Sequence, residues 1–316
     1  MATDKSQHLQ QVLETHKMLH IEKLLDKYKK TRTKVKEALE ENFKDKIYNP
    51  INSGSYAKHT AINIKFDLDI VFPFKKDSFK TLEELFDEVY NFLYEKYKNE
   101  AVVKKQKVSI GIVFNTDGDE INIDVVPGRE LNQEQYNNDY NLNLFVNSLY
   151  GLLAEKTYIQ TNIQAQIDLI KGKSDERNII RLLKIWKKTN AAPYKSFFLE
   201  LITIKAFDKE DISGNLWEKL KSVMEYIRDN VNKDSFTLKD PGNSNNNVVD
   251  TLDNAEKNNL SNKMSNMIDN IENYSDNIKT YFPVNDQFED KNMDRYGLKD
   301  SGIIAPSIPN KSQQFG

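Results

Sequence analysis

Over residues 66–74 apolar and acidic residues alternate, Phe66-Asp67-Leu68-Asp69-Ile70, before the run turns wholly apolar at Val71 and Phe72. A period of two is the pattern of a β-strand with one face in a core. It puts Phe66, Leu68, Ile70 and Phe72 on a buried face and projects Asp67 and Asp69 together from the other. Residues 120–126 repeat the pattern, with Ile121, Ile123 and Val125 facing one way and Asn122 and Asp124 the other. Residues 107–114 read as a further strand, joined to this one by a turn at residues 115–119, where Asp117-Gly118 is a strong hairpin signal. If the two Asp-bearing strands are neighbours, three carboxylates converge on one solvent-accessible face.

Helical periods surround these strands. Residues 7–43 read as one long helix with an apolar stripe from Leu9 to Tyr28. Its lysine-rich run, residues 27–36, reads as a solvated face because Glu37, Glu40 and Glu41 soon balance it. Residues 81–97 form a helix capped by Thr81, with Glu84 closing a capping box. From about Tyr140 the pattern turns helical: residues 175–188, 196–207, 216–231 and an Asn-rich stretch, 248–278, with a turn at residues 239–243. The tail from about Gly302 carries Pro306 and Pro309 without an apolar period and reads as extended. The expected organisation is α+β and bilobed: residues 1–135 a mixed lobe with a long N-terminal helix, residues 136–300 a helical lobe closing a cleft, and residues 301–316 a tail.

Three carboxylates so close repel one another unless a cation joins them. Hard oxygen donors of this kind suit Mg²⁺ or Mn²⁺, which bind through carboxylates together with substrate phosphates. Two such ions would activate an attacking hydroxyl and stabilise a leaving pyrophosphate. Gly54-Ser55, twelve residues before Asp67, supplies the other half. The glycine allows close backbone approach to phosphate, Ser55 donates through its hydroxyl, and a short helix is expected to start there, with Lys58 and Thr60 in its first turns. Gly-Ser alone marks any loop, and an Asp-x-Asp alone is commonly a solvated strand face. The joint pattern points to a nucleotide and metal site.

Composition removes several alternatives. The 316 residues contain no cysteine, which excludes disulfides, thiolate catalysis and cysteine-ligated zinc. The four histidines, His8, His16, His20 and His59, form no metal-spacing cluster. Net charge is -3, so nucleic acid is not an expected partner. No run reaches the roughly 18 apolar residues of a membrane span, and the N-terminus has no signal-peptide pattern, so the expected location is the cytoplasm.

Gly54-Ser55, Asp67-x-Asp69 and Asp124 resemble the signature of the DNA polymerase β-like nucleotidyltransferase superfamily. More narrowly, Arg181-Leu182-Leu183-Lys184-Ile185-Trp186-Lys187 followed by Lys195-Ser196-Phe197-Phe198-Leu199-Glu200 is similar to the paired second-lobe helices of the bacterial cGAS/DncV-like nucleotidyltransferases (CD-NTases) of CBASS anti-phage defence and of the related oligoadenylate synthetases. Lys239-Asp240-Pro241, followed by Asn245-Asn246-Asn247-Val248, resembles a turn of the same family, whereas Tyr281-Phe282-Pro283 departs from it. The resemblance covers roughly residues 20–285. It implies a polymerase β-like fold and an enzyme that joins nucleoside triphosphates, ATP or others, into a cyclic di- or trinucleotide with release of pyrophosphate, the diffusible product activating an effector.

The resemblance also implies roles. Ser55 holds the triphosphate, Asp67, Asp69 and Asp124 hold two ions of Mg²⁺ or Mn²⁺, and Asp124 helps deprotonate the attacking ribose hydroxyl. Lys184 and Ser196 contact the donor triphosphate from the helical lobe. From the residues alone Lys184 is equally a surface lysine of an amphipathic helix, and Ser196 equally an N-cap. The C-terminal Gly316 is compatible with conjugation by a ubiquitin-ligase-like partner, or with an ordinary terminus. The alternative activity is template-independent extension of RNA ends or linear oligoadenylate synthesis.

Overall fold

A computed structural model of the protein describes residues 2–147 and 158–289. The chain opens with α1 (Lys5–Thr15) and α2 (Glu22–Phe43), separated by a 3₁₀ turn, Met18–Ile21. This corrects the single helix expected over residues 7–43. Lys17 is extended (φ -65°, ψ 141°), and the Thr15 hydroxyl turns back on the carbonyls of Gln11 and Val12. The Asn63 amide donates to the carbonyls of Thr15 and Lys17. The apolar stripe runs through the break, so its period conceals it.

There follow β1 (Ile51–Ser53), the one-turn helix α3 (Gly54–Ala57), β2 (Leu68–Phe74) and α4 (Leu82–Tyr97). Thr81 caps α4 by accepting from the Glu84 N–H, as expected. The Glu84 carboxylate, however, accepts from the backbone of Lys80 rather than of Thr81, so the expected capping box is displaced by one residue. Then come β3 (Ala101–Lys105), β4 (Ile110–Thr116) and β5 (Asp119–Glu130). Asp117 and Gly118 both take positive φ, 52° and 82°, the conformation of a tight two-residue hairpin.

After the short helix α5 (Tyr136–Asp139), where a helical pattern was expected from Tyr140, the chain forms two strands, β6 (Leu142–Phe145) and β7 (Tyr158–Thr161). Leu142 and Leu144 alternate with the less buried Asn143 and Phe145, a strand signature too short to stand out. The helical region proper is α6 (Ile163–Ile170), α7 (Ser174–Thr189), α8 (Ser196–Lys209) and α9 (Leu216–Asn230). The turn expected at residues 239–243 is present at Pro241-Gly242, as the tip of a hairpin of β8 (Lys239–Asp240) and β9 (Asn243–Asn247). The Asn-rich stretch divides into a 3₁₀ turn, Val248–Thr251, then α10 (Asn254–Asn273) and α11 (Ile278–Tyr281). It is not one helix, because Asp253 and Glu256 build a complete capping box that starts α10. The tail, with Gly316, lies outside the described residues.

The sheet runs β1-β2-β5-β4-β3, and β6 pairs with both β5 and β7. Every pairing is antiparallel except β2 with β5. One face packs Leu68, Ile70, Phe72, Ile121, Ile123 and Val125 against α2 and α4. A second core gathers α7 to α11 and also takes Leu9 and Val12 of α1. The fold is thus α+β with a long N-terminal helix, α2, laid on the sheet. Lys27 on that helix stays partly exposed and pairs with Asp119 at the β4–β5 turn. Among the described residues no helix is long and apolar enough to cross a membrane.

Candidate active site

The parallel register of β2 and β5 sets Asp69 directly beside Asp124. Their neighbours Leu68, Ile70, Ile123 and Val125 point into the core below, so period-two alternation turns both carboxylates to the opposite face. Asp67, one residue before β2, joins them. One carboxylate oxygen from each of the three lies within 4.8 Å of the others. The convergence expected from the sequence is therefore present, in half-buried rather than freely solvated surroundings.

This proximity has an electrostatic signature. Burial, reinforced by the charges of Asp67 and Asp124, holds the Asp69 carboxyl well above its ordinary range. Asp124 is pushed up to about 7 by burial and by the charge of Asp67. Asp67 is raised too, by burial, with Lys65 and Lys184 opposing the shift. Three oxygen-donor groups that resist ionising side by side are what a hard divalent cation relieves. The donor set fits Mg²⁺ or Mn²⁺.

Gly54 stands against the same group. It has φ +71°, and a Cβ there would lie 1.7 Å from the Asp69 Oδ2. Only glycine lets the backbone come this near the carboxylate. Ser55 follows in α3, half-buried, and its carbonyl accepts from the Thr60 N–H at 2.9 Å. The short helix expected there is α3, a single turn ending at Ala57, so that Lys58 is its C-cap and Thr60 lies beyond it.

The second lobe grips this loop. The Lys58 ammonium meets the Glu200 carboxylate of α8 at 2.7 Å, both side chains being buried. Lys184 of α7 donates to the hydroxyl of Thr60 at 2.7 Å and to its carbonyl at 3.2 Å. The reading of Lys184 as a surface lysine is thereby corrected: it is buried, and burial brings its ammonium down to about 8. The N-cap reading of Ser196 is corrected as well. Lys195 occupies that position, and the Ser196 hydroxyl accepts from the Lys187 ammonium at 3.1 Å. Arg181 binds the His59 carbonyl at 3.1 Å.

Two groups of residues escaped the sequence reading. Lys65, Lys187 and Lys188 feel one another's charge, which with burial lowers the ammonium pKa of Lys65 and of Lys187, and Lys65 also senses Asp67. Scattered over two lobes, they show no spacing in the sequence. The other group is Gln106, whose amide donates to Asp124 Oδ1 at 3.2 Å, with Ser109 and Gly111 beside it. The neglected Gly111, opposite the Asp124 position in a hairpin strand, was the available clue.

Residues 6–148 match the SMODS family, the Second Messenger Oligonucleotide or Dinucleotide Synthetase domain. The chain is 25% identical over 221 residues to a CBASS oligonucleotide cyclase, CdnC, of Escherichia coli strain KTE188, an alignment covering 65% of this chain and 66% of that protein, just under two thirds of its length. In fold it is similar to E. coli MS115-1 CdnC with ATP, with TM-score 0.64 and 19% identity over 86% of this chain and 94% of that one. It is also similar to the Bradyrhizobium diazoefficiens CD-NTase CdnG in complex with GTP, with TM-score 0.67 and 14% identity over 89% and 95% of the two chains. At these identities the structural likenesses establish the polymerase β-like nucleotidyltransferase fold.

Proposed function

We propose that this chain is one of the bacterial cGAS/DncV-like nucleotidyltransferases of CBASS defence and joins nucleoside triphosphates into a cyclic di- or trinucleotide messenger. The observation that carries the reading is the cluster of Asp67, Asp69 and Asp124 within 4.8 Å, with the Gly54 backbone pressed against it. Its relationship to oligonucleotide cyclases supports the cyclic product.

The chemistry follows from the placement of the groups. Gly54 brings the loop backbone beside Asp69, and Ser55 offers its hydroxyl to the triphosphate. A ribose hydroxyl of one nucleotide attacks the α-phosphorus of another. The new P–O bond replaces the α–β bridge, pyrophosphate leaves, and Asp124 takes the hydroxyl proton. Asp67, Asp69 and Asp124 would hold two Mg²⁺ or Mn²⁺ ions, which would supply charge neutralisation and Lewis acidity. Lys184 serves the triphosphate as a positive charge near Asp67, and Ser196 serves it by holding the Lys187 ammonium. A second transfer within the linear intermediate closes the ring.

We place the reaction in the cytoplasm, which supplies nucleoside triphosphates, and carry over from the family resemblance a ubiquitin-ligase-like partner acting at Gly316. Deletion of Gly316 leaving cellular conjugates unchanged would remove that partner. The reaction itself is tested by incubating the protein with all four triphosphates and Mg²⁺. Phosphatase-resistant products are expected, absent from Asp67→Ala and Asp69→Ala. No product from folded wild-type protein across metals would overturn the reading, and linear extension of an added RNA would favour the polymerase alternative.

A further inference from the structure

Asp124 differs from its two partners in what touches it. Asp67 precedes β2 and Asp69 is its second residue, whereas Asp124 sits mid-strand in β5, opposite Gly111 of β4. Gly111 in turn pairs with Lys104 of the edge strand β3. Gln106 begins the turn that joins β3 to β4, closed by the Gln106 N–H donating to the Ser109 carbonyl at 2.8 Å. Its side chain folds back over Gly111 and donates from Nε2 to Asp124 Oδ1 at 3.2 Å.

Two features show that this is a built contact. A Cβ on Gly111 would come 2.4 Å from Gln106 Nε2, so the absent side chain is the space the amide occupies. The buried Ser109 hydroxyl donates to Gln106 Oε1 at 2.6 Å. An amide has one accepting and one donating end, and with Oε1 engaged by Ser109 it is the NH₂ that faces Asp124. Ser109 thus orients the Gln106 amide, Gly111 leaves it room, and Gln106 alone reaches the carboxylate oxygen.

We infer that Gln106 is a positioning residue for Asp124: it engages Oδ1, fixes the rotation of the carboxylate, and leaves Oδ2 to face cation and attacking hydroxyl. The inference rests on the nucleotidyl-transfer reading and adds to it a residue from the β3–β4 turn. A carboxylate free to rotate presents its oxygens in many orientations. A fixed one has lost that freedom before substrate arrives. Outer hydrogen bonds to metal-binding carboxylates typically change metal affinity or activity by about 10- to 100-fold when removed.

The test uses Gln106→Met, which keeps the length and bulk over Gly111 but lacks the donor, beside Gln106→Ala, Ser109→Ala and Asp124→Asn. Mn²⁺ binding to the full-length protein is followed by electron paramagnetic resonance, with and without a non-hydrolysable ATP analogue, and kcat and KM are measured separately. The expected result is Mn²⁺ affinity about tenfold weaker in Gln106→Met, as in Gln106→Ala. With it goes a lower kcat at saturating Mg²⁺ and a little-changed KM for ATP. Ser109→Ala, which frees the amide to turn over, falls between these and wild type. Gln106→Met binding Mn²⁺ like wild type, with only Gln106→Ala impaired, would reduce Gln106 to packing and overturn the inference alone. Wild-type protein binding no Mn²⁺ would overturn the inference and the proposed function together.

Discussion

The Lys58 ammonium and the Glu200 carboxylate meet at 2.7 Å in the interior, one carried by the loop behind Ser55 and the other by α8 of the opposite lobe. The aromatic ring of Phe197 lies 4.7 Å from the same ammonium. This pair, together with Lys184 on Thr60 and Arg181 on His59, ties the loop after Ser55 to the helical lobe.

Breaking the pair on one side leaves a buried charge unmatched. Lys58→Ala is expected to cost about 3–5 kcal/mol of folding stability, while Lys58→Met combined with Glu200→Leu recovers most of it. Denaturant titration of both variants is the measurement. A single variant as stable as wild type would show that the loop is anchored in some other way.

Asp69 is held above its ordinary range by burial and by Asp67 and Asp124. Removing its charge relieves that crowding but removes a ligand. Asp69→Asn should abolish product formation and yet raise the thermal midpoint of the metal-free protein by roughly 2–4 °C per kcal/mol of repulsion relieved. A variant that loses activity and stability together would argue for a structural role instead.

Glycine is needed at two positive-φ positions for different reasons. Gly118, φ +82°, has open space around its would-be Cβ, whereas at Gly54, φ +71°, that atom would collide with Asp69. Both alanine variants carry backbone strain of about 1–3 kcal/mol. Only Gly54→Ala should also lower kcat, by at least about a hundredfold, through displacement of Asp69. Parallel kinetics on the two variants separate strain from collision, and equal losses would contradict the close approach.

The Asp124 carboxyl, raised to about 7 in the fold, has an ordinary value of 3.8. Between those two values the folded protein keeps a proton that the unfolded chain has released. Its contribution to stability is therefore present at low pH and is lost as pH rises through that window. Lys184, lowered to about 8 from 10.5, has the reverse sign, its contribution growing as pH rises between those two values, above the Asp124 window. A divalent cation competes with the carboxyl proton. The thermal shift produced by Mg²⁺ should be small at pH 5.5 and larger at pH 8, and much reduced in Asp124→Asn. An Mg²⁺ shift independent of pH would place the cation elsewhere.

Local pattern carried much of this fold. The alternation at residues 68–70 and 120–126, the Asp117-Gly118 turn and the Thr81 cap are all properties of short windows, and each is realised in the structure, although β2 starts at Leu68 and leaves Phe66 and Asp67 outside the strand. The break between α1 and α2 was hidden because it depends on Asn63, 46 residues away from Lys17. Strands β6 and β7 were hidden because four residues are too few to separate a period of two from a helical one.

What the sequence by itself determined is the face on which each aspartate stands and the glycine that lets a backbone approach it. Tertiary structure alone decided that β2 and β5 lie side by side in parallel, with Asp69 level with Asp124. It alone buried Lys184 against Thr60 and laid Gln106 over Gly111. The reason is physical. Side-chain periodicity records which surface avoids water, but a strand's neighbour and register are set by the packing of distant segments, here after the intervening α4, β3 and β4 have brought the chain back to β2.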